Sequence, residues 1–393
     1  MKPSSVLRFA ASNLLVSGAI AFGLFFLLEG GCRVVGRIRT GAWPETRAEA
    51  YAGFVRKIGK AFRLHPLLVV CGRPDAVLHA AGKEVVFNAR GERGTNLLDL
   101  PMPKPPGRFR IVCEGGSTTF DLFAASNAAT WPARLGALLA AKNVDVANAG
   151  FTGWTSVESL ISLEIRDVDL RPDLVIVTSG VNDLQPAGYE PFTPDYSAGH
   201  AEILPRLTGV VPVPVRLVSR SLFIESLLDL LRPDRPVAAE GYAPAYAWKG
   251  GPRKDDIPAT AVAVYERNLR STAAVARAHG AVTLLVPQAV RLRRGREAAD
   301  GQWMVGWTPG LTPKGFLAGL ARYAAVARKL GDEGVALVFD PLGSGIFVDE
   351  DFVDPVHFSP SGSEKFARKL AAFVEEHFLA KRESRSPPAT IAQ

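Results

Sequence analysis

Short apolar runs alternate with helical patterns between residues 108 and 380, and this alternation limits the folds open to the chain. The apolar runs, each typical of a buried strand, occupy residues 110–113, 144–147, 174–178, 282–286 and 337–339. The helical patterns occupy residues 130–142, 156–166, 260–279 and 361–378. Strands that alternate with helices form a parallel sheet covered on both faces. We therefore expect an α/β fold: a three-layer α/β/α, flavodoxin-like domain with five parallel strands.

Local signals mark where these helices begin and end. Thr130 is suited to cap the first helix, and Gly280 follows the third helix where a left-handed residue would end it. The segment 361–364, Ser-Gly-Ser-Glu, predicts a capping box at the start of the last helix.

Residues 9–28 form a 20-residue run without a charged side chain. As a helix, this run spans roughly 30 Å, the thickness of the hydrocarbon core of a bilayer. A cleaved signal peptide is disfavoured because residues 29–33, Glu-Gly-Gly-Cys-Arg, make a poor cleavage site. A lipoprotein signal is disfavoured because Glu29 occupies a position ahead of Cys32 where such a signal needs an aliphatic residue. A buried core helix is also disfavoured, because such a helix would rarely be so uniformly apolar. We predict an uncleaved N-terminal transmembrane helix.

Several segments lie outside the regular alternation. Before the main domain, short β-like runs at 65–70 and 84–87 indicate a small β-containing prelude, which a proline-rich connector follows. Residues 184–259 hold 11 of the 29 prolines, which predicts an insertion, with one amphipathic helix at about 221–231. The predicted organisation is a short tail (1–8), an anchor (9–28), a prelude and linker (29–107), the main domain (108–380, with the insertion at about 184–259) and a disordered tail (381–393).

The chain carries a formal charge of +7 and only three cysteines. The charge favours acidic surfaces, but no zinc spacing, RNP-like motif or basic helix with interleaved aromatics accompanies it, so we expect no nucleic-acid partner. The cysteine spacings fit neither a disulfide framework nor a metal site, and we expect no metal or cofactor. Cys113 lies in a predicted strand and is interpreted as a small core residue.

Five residues with the chemistry of acyl transfer lie just beyond predicted strands. Ser117, Gly153 and Asn182 each follow a strand by a few residues, and Asp354 and His357 follow the last one. Ligands bind at the carboxyl ends of the strands in an open α/β sheet. We therefore expect the five residues to converge at one edge.

The residue types predict a role for each of them. Ser117 is the expected nucleophile and His357 the base that activates it, with Asp354, three residues earlier, holding the imidazole. The backbone N–H groups of Ser117 and Gly153 and the side-chain amide of Asn182 are the expected oxyanion donors.

Several simpler interpretations compete with this one. The Ser117 turn could cap a helix or bind a phosphate at a helix N-terminus, although neither a P-loop nor a dinucleotide motif follows it. Gly150 competes with Gly153 as a backbone donor, and Asn182 could be an Asx-turn residue. Asp183 is more simply a structural hydrogen-bonding residue.

Two further features are ambiguous. Asp340 and Asp351 compete with Asp354, but neither has a histidine at turn distance. The stretch 291–307 carries arginines and two tryptophans, which could rim the site and bind a sugar or an anion. An exposed charged loop with partly buried tryptophans is the favoured interpretation of that stretch.

Together these blocks resemble the SGNH (GDSL-like) hydrolase superfamily over residues 108–379. The blocks are Gly-Gly-Ser117-Thr-Thr, Asn-Ala-Gly-Phe-Thr-Gly153, Gly-Val-Asn182-Asp and Asp354-Pro-Val-His357. The resemblance implies that Ser117, Gly153, Asn182 and His357 are the name-giving residues and that Asp354 completes a triad.

The prelude is similar to that of membrane-anchored bacterial members, in residues 64–66 (Leu-His-Pro) and 88–94 (Asn-Ala-Arg-Gly-Glu-Arg-Gly). This similarity implies an extracytoplasmic (periplasmic) domain, whereas the arginines that follow the anchor favour a cytoplasmic one. The chain departs from the Gly-Asp-Ser form at Gly116. Glu114 is an unexpected charge at a strand end, which could perturb the site or face solvent.

The expected function is a membrane-anchored serine esterase that acts on an acylated small molecule, lipid or glycan. An O-acyltransferase that passes the acyl group to an envelope polysaccharide would use the same residues. A non-catalytic envelope-binding module is the third alternative, which the complete set of residues disfavours.

Overall fold

The computed structural model describes residues 3–80, 83–94, 100–197, 200, 204–205, 220–231, 251–341 and 345–380. The predicted tail at 381–393 and part of the insertion at 184–259 lie outside these residues. The chain divides into two compact units, residues 1–56 with 213–244, and residues 57–212 with 245–393.

The helices and strands are numbered in chain order. The helices are α1 Pro3–Thr40, α2 Arg47–Ala61, α3 Ser117–Phe120, α4 Trp131–Leu139, α5 Ser156–Ile165, α6 Leu184–Ala187, α7 Leu222–Leu231, α8 Ala259–Ala278, α9 Glu297–Trp307, α10 Pro313–Asp332 and α11 Pro360–Val374. The strands are β1 Phe62–His65, β2 Val69–Gly72, β3 Val77–Ala80, β4 Lys83–Val86, β5 Phe109–Gly115, β6 Val144–Asn148, β7 Leu174–Ser179, β8 Val282–Pro287 and β9 Leu337–Val338.

The second unit contains a five-stranded parallel sheet with the strand order β6-β5-β7-β8-β9. This confirms the predicted flavodoxin-like sheet. In the prelude, β1 pairs with β2 and β3 pairs with β4, both antiparallel, so the short β-like runs form two hairpins.

Alternate residues of the central strands face opposite layers of helices. In β7, Val175 and Val177 pack in the apolar cluster that includes residues of α8 and α10, whereas Leu174 and Ile176 pack with residues of α4 and α11. Because successive side chains of a strand point to opposite faces, a strand covered on both sides is apolar at every position. This explains the uninterrupted apolar runs.

The first unit contains α1, the N-terminal part of α2, and α7. Within α1, residues Leu14–Thr40 are long and apolar enough to cross a membrane, with a mean hydropathy of 1.9. The helix continues past the predicted run at 9–28 without a break.

The helix-start signals had mixed outcomes. Thr130 caps α4, because its side chain accepts a hydrogen bond from Ala133 N at 3.3 Å. The predicted capping box at 361–364 is wrong: Ser359 is the N-cap of α11. Proline is favoured at the first helical position, so Pro360 places the cap at Ser359, two residues before the predicted one. Helix α10 was not predicted.

Candidate active site

The turn after β5 places Ser117 at the carboxyl edge of the sheet and requires two glycines. Gly115 has φ +146°, and a Cβ on it would lie 2.2 Å from the carbonyl oxygen of Thr178. A Cβ on Gly116 would lie 2.4 Å from Nδ2 of Asn182. A side chain at position 116 would therefore require the Asn182 amide to shift.

The structure brings Ser117, His357 and Asp354 into one chain of hydrogen bonds. Ser117 Oγ lies 2.7 Å from His357 Nε2, and His357 Nδ1 lies 2.7 Å from Asp354 Oδ2. The other carboxylate oxygen, Oδ1, accepts from the backbone N–H of Val356 at 3.0 Å and of His357 at 2.9 Å. All three side chains are buried, with 7–9% of each residue exposed.

The electrostatics of Asp354 favour its ionised form. Burial raises the pKa of Asp354, but the nearby His357 and the hydrogen bonds to the carboxylate outweigh burial, so the pKa lies below its ordinary value. An ionised carboxylate opposite Nδ1 keeps the proton on that nitrogen and leaves Nε2 able to accept one.

Asn182 lies over Gly116 in a fixed orientation. Its Nδ2 donates to the carbonyl oxygen of Trp154 at 2.6 Å. A primary amide carries two N–H groups, so one remains for a ligand. Asn182 Oδ1 is buried and has no hydrogen-bond partner among the described residues.

The two glycines of the second block differ in their surroundings. The N–H of Gly150 donates to Asn148 Oδ1 at 3.2 Å and is therefore already engaged. Gly153 has φ +82° and directly precedes Trp154, the residue whose carbonyl orients Asn182. This arrangement favours Gly153 over Gly150 as the donor near Ser117.

The competing aspartates have structural partners. Asp183 accepts from the Ser156 backbone N–H at 3.1 Å and from the Tyr196 hydroxyl at 3.1 Å, which fits its interpretation as a structural residue. Asp351 accepts from Lys365 at 2.8 Å, and Asp340 pairs with Arg328 at 3.2 Å.

Arg93, in the prelude segment 88–94, stabilises the short helix α3 that begins at Ser117. It is 1% exposed and donates to the carbonyl oxygens of Phe120 at 2.9 Å and Asp121 at 2.6 Å. Burial lowers the pKa of Arg93 to about 10, although Asp121 opposes the shift. This segment therefore holds the end of α3, a role that the sequence did not indicate.

The arginines at 291–294 hold the loop that carries Asp354 and His357. The backbone N–H of Arg291 donates to Pro355 O at 2.8 Å. The Arg293 guanidinium pairs with the fully buried carboxylate of Asp300 and also donates to Val353 O. The favoured expectation of an exposed charged loop is therefore wrong for Arg293, whose side chain is 11% exposed.

Aromatic rings flank His357 on two sides. The Phe123 ring centroid lies 5.3 Å from the imidazole and that of Trp303 lies 6.0 Å away, both roughly edge to face. Trp303 also stacks with Trp307 at 6.3 Å. The tryptophans are partly buried, as expected, and Trp303 reaches the site.

Glu114 does not face solvent. The residue is fully buried, and its carboxyl group lies within hydrogen-bonding reach of the Asp167 carboxylate, to which a protonated Glu114 would donate. Burial, together with Asp167 beside it, raises the pKa of Glu114 well above its usual value. We interpret Glu114 as a neutral buried group.

Gln288 is a site residue that the sequence reasoning missed. Its Oε1 accepts from the Thr118 hydroxyl at 3.1 Å, next to Ser117. The available signal was its position: it directly follows β8, at the same edge of the sheet. In the described ranges, no group of three or more histidine, cysteine or acidic side chains is placed to hold a metal ion.

A comparison with models of protein families identifies one family. The model of the GDSL-like Lipase/Acylhydrolase family matches residues 113–365. A lipase/acylhydrolase from Enterococcus faecalis is similar in structure, at 17% identity and a TM-score of 0.39, over 68% of this chain and 96% of that one. No curated protein matches the chain.

Two further solved structures are similar to a comparable degree. A catalytic mutant of an acetylxylan esterase from Geobacillus stearothermophilus has 15% identity and a TM-score of 0.38, over 68% of this chain and 93% of that one. A GDSL-like lipase from Bacteroides thetaiotaomicron has 13% identity and a TM-score of 0.38, over 72% of this chain and 94% of that one.

Proposed function

Because the chain belongs to the GDSL-like lipase/acylhydrolase family, we propose that it is a membrane-anchored serine esterase with Ser117 as nucleophile, His357 as base and Asp354 as the residue that orients the base. The observation that carries this proposal is the distance of 2.7 Å between Ser117 Oγ and His357 Nε2. A nucleophile and a base within hydrogen-bonding distance, with the base held by a third group, are the requirements for nucleophilic catalysis.

In the first half-reaction, Ser117 Oγ attacks the ester carbonyl carbon as its proton passes to His357 Nε2. A tetrahedral intermediate forms, and its collapse breaks the bond to the alcohol oxygen, which takes the proton from Nε2. The product is an acyl-serine and a free alcohol. Asp354 stabilises the imidazolium that exists between the two proton transfers, since the carboxylate stays ionised opposite Nδ1.

The oxyanion of the tetrahedral intermediate needs preorganised donors. Asn182 offers the second N–H of its amide, because the first is bonded to Trp154 O and fixes the side chain. We propose the backbone N–H groups of Ser117 and Gly153 as the other two donors.

In the second half-reaction, His357 Nε2 takes a proton from the group that attacks the acyl-serine. Collapse of the tetrahedral intermediate then breaks the bond between the acyl carbon and Ser117 Oγ, which takes the proton back from Nε2. Water gives hydrolysis, and a sugar hydroxyl would give acyl transfer with the same residues. The two outcomes are separated by a product assay, in which p-nitrophenyl acetate is the donor and free acetate or acetylated glycan is measured by mass spectrometry.

A fluorophosphonate probe tests the nucleophile directly. The full chain in detergent should be labelled at Ser117, and the Ser117→Ala variant should lose both labelling and ester hydrolysis. Ser197→Ala, a change at an exposed serine, serves as the matched control. Equal labelling of Ser117→Ala and the unmodified protein would refute the assignment.

We further propose that α1 anchors the protein and that the esterase domain lies outside the cytoplasm. The apolar length of Leu14–Thr40 supports the anchor. Arg33, Arg37 and Arg39, which follow the apolar run, would favour the opposite orientation by the positive-inside rule. Digestion of the domain by a protease added to intact spheroplasts supports the proposed orientation, and protection of the domain contradicts it.

A further inference from the structure

Helix α7, in the insertion, packs against the end of the apolar run of α1. The ring centroids of Phe25 and Phe223 lie 6.3 Å apart, edge to face. The carboxylate of Glu29 accepts from the Ser221 hydroxyl at 2.8 Å and from the backbone N–H of Phe223 at 3.0 Å. The insertion therefore returns to the anchor helix, to which α7 is joined within the first unit.

The Glu29 carboxylate stabilises the N-terminus of α7. The first N–H groups of a helix lack partners inside the helix, and its N-terminus attracts negative charge. Glu29 supplies both an acceptor and the charge, while Arg33 Nε, at 3.0 Å, pairs with the same carboxylate. A carboxylate at the edge of an apolar run is costly unless it is bonded in this way.

Three leucines lie on the side of α7 that carries Phe223, and no residue that the structure describes covers them fully. Leu227, Leu230 and Leu231, at helical spacing i, i+3 and i+4, are 41%, 78% and 66% exposed. The exposed apolar face of α1 belongs to the same unit, where Phe22 and Leu27 are 66% and 75% exposed.

We propose that α7 is a second membrane-contacting element, which lies in the interface of the bilayer with Leu227, Leu230 and Leu231 in the lipid. This inference rests on the proposed anchoring by α1. Because Phe25 lies one turn inside the apolar run from Glu29, a helix that contacts Phe25 is at the depth of the lipid chains. A helix of 10 residues is too short to span the bilayer and suits an interfacial position.

Depth-dependent fluorescence quenching tests the proposal. The full chain, with Cys32 replaced by serine, receives single cysteines by Leu227→Cys, Leu231→Cys or Asp229→Cys, each labelled with bimane; the other two cysteines are buried. Asp229 is on the same helix but lies about 160° from Leu227 and from Leu231, and about 100° from Leu230, around the axis. Each protein is reconstituted into phosphatidylcholine vesicles with or without 5-doxyl lipid.

We expect bimane at positions 227 and 231 to be quenched several-fold more strongly by doxyl lipid than bimane at 229, and to be shielded from iodide. Strong iodide quenching at 227 and 231 without lipid quenching overturns the inference. Shielding from both quenchers also overturns it, because protein would then cover the leucines.

Two further readouts separate the causes of a failure. Vesicle flotation reports anchoring by α1, so a protein that fails to float overturns the premise as well as the inference. Hydrolysis of p-nitrophenyl acetate reports the proposed esterase, and it does not depend on where α7 lies.

Discussion

The Asp354→Asn variant should lose about 10⁴-fold in kcat, although it changes one atom. In the unmodified protein, Asp354 Oδ1 accepts two backbone N–H groups, and Oδ2 faces His357 Nδ1 at 2.7 Å. The asparagine must keep its carbonyl oxygen towards the two backbone donors, since its NH₂ group cannot accept from them. The NH₂ group then faces Nδ1 and donates to it.

This donation forces the wrong tautomer on His357. Nδ1 must become an acceptor, so the ring proton moves to Nε2, the nitrogen that lies 2.7 Å from Ser117 Oγ. A protonated Nε2 cannot take the serine proton. A 10⁴-fold loss corresponds to about 5 kcal/mol of transition-state stabilisation. The unfolding free energy should fall by only roughly 1–2 kcal/mol, because the two backbone hydrogen bonds persist.

The assay is p-nitrophenyl acetate hydrolysis by the purified full chain, with urea unfolding measured in parallel. Asp354→Ala removes the acceptor without dictating the tautomer, so its kcat per folded molecule should exceed that of Asp354→Asn. Asp169→Asn, at an exposed aspartate before β7 and hence at the opposite edge of the sheet, is the control. A kcat for Asp354→Asn within tenfold of the unmodified protein would refute the reasoning.

The remaining predictions concern three other positions. Asn182→Ala should lower kcat about 10²–10³-fold through loss of an oxyanion donor, with KM nearly unchanged; an unchanged kcat contradicts that role. Arg293→Gln should lower kcat up to roughly 10²-fold, because the loop that carries Asp354 loses a hydrogen-bond donor. Arg293→Lys should recover little of the lost kcat, because lysine cannot form the bidentate pair with Asp300. Full activity in both variants excludes a positioning role. Above a pH of about 4.5, the unfolding free energy of Glu114→Gln should rise relative to that of the unmodified protein by about 1.4 kcal/mol per pH unit. The reason is that the folded unmodified protein keeps Glu114 protonated, whereas in the unfolded chain Glu114 ionises. Urea unfolding at pH 5, 6 and 7 measures this last difference, and a constant difference across that range contradicts it.

The parts of the fold that follow from local patterns were predictable. The strand runs, the parallel sheet and the cap at Thr130 depend on residue type and spacing over a few positions. The geometry at Ser117 could be anticipated because parallel strands bring their carboxyl ends to one edge.

The parts that depend on distant partners were not predictable in this way. The burial of Arg93 follows from carbonyl oxygens some 30 positions away, which have no signature in the sequence. Glu114 looks like a surface charge until Asp167 and the surrounding layers enclose it. The capping signal at Ser361 was overridden by Pro360, which is a local effect that the prediction weighed incorrectly.

The two ends of the esterase domain meet at the site, where Ser117 and His357 come together although 240 positions separate them. A chain cut short after β9 would retain every strand of the sheet and yet lack the imidazole. Catalytic turnover therefore requires a chain that extends through His357. Incomplete or truncated chains would contribute no activity, even if their secondary structure is intact.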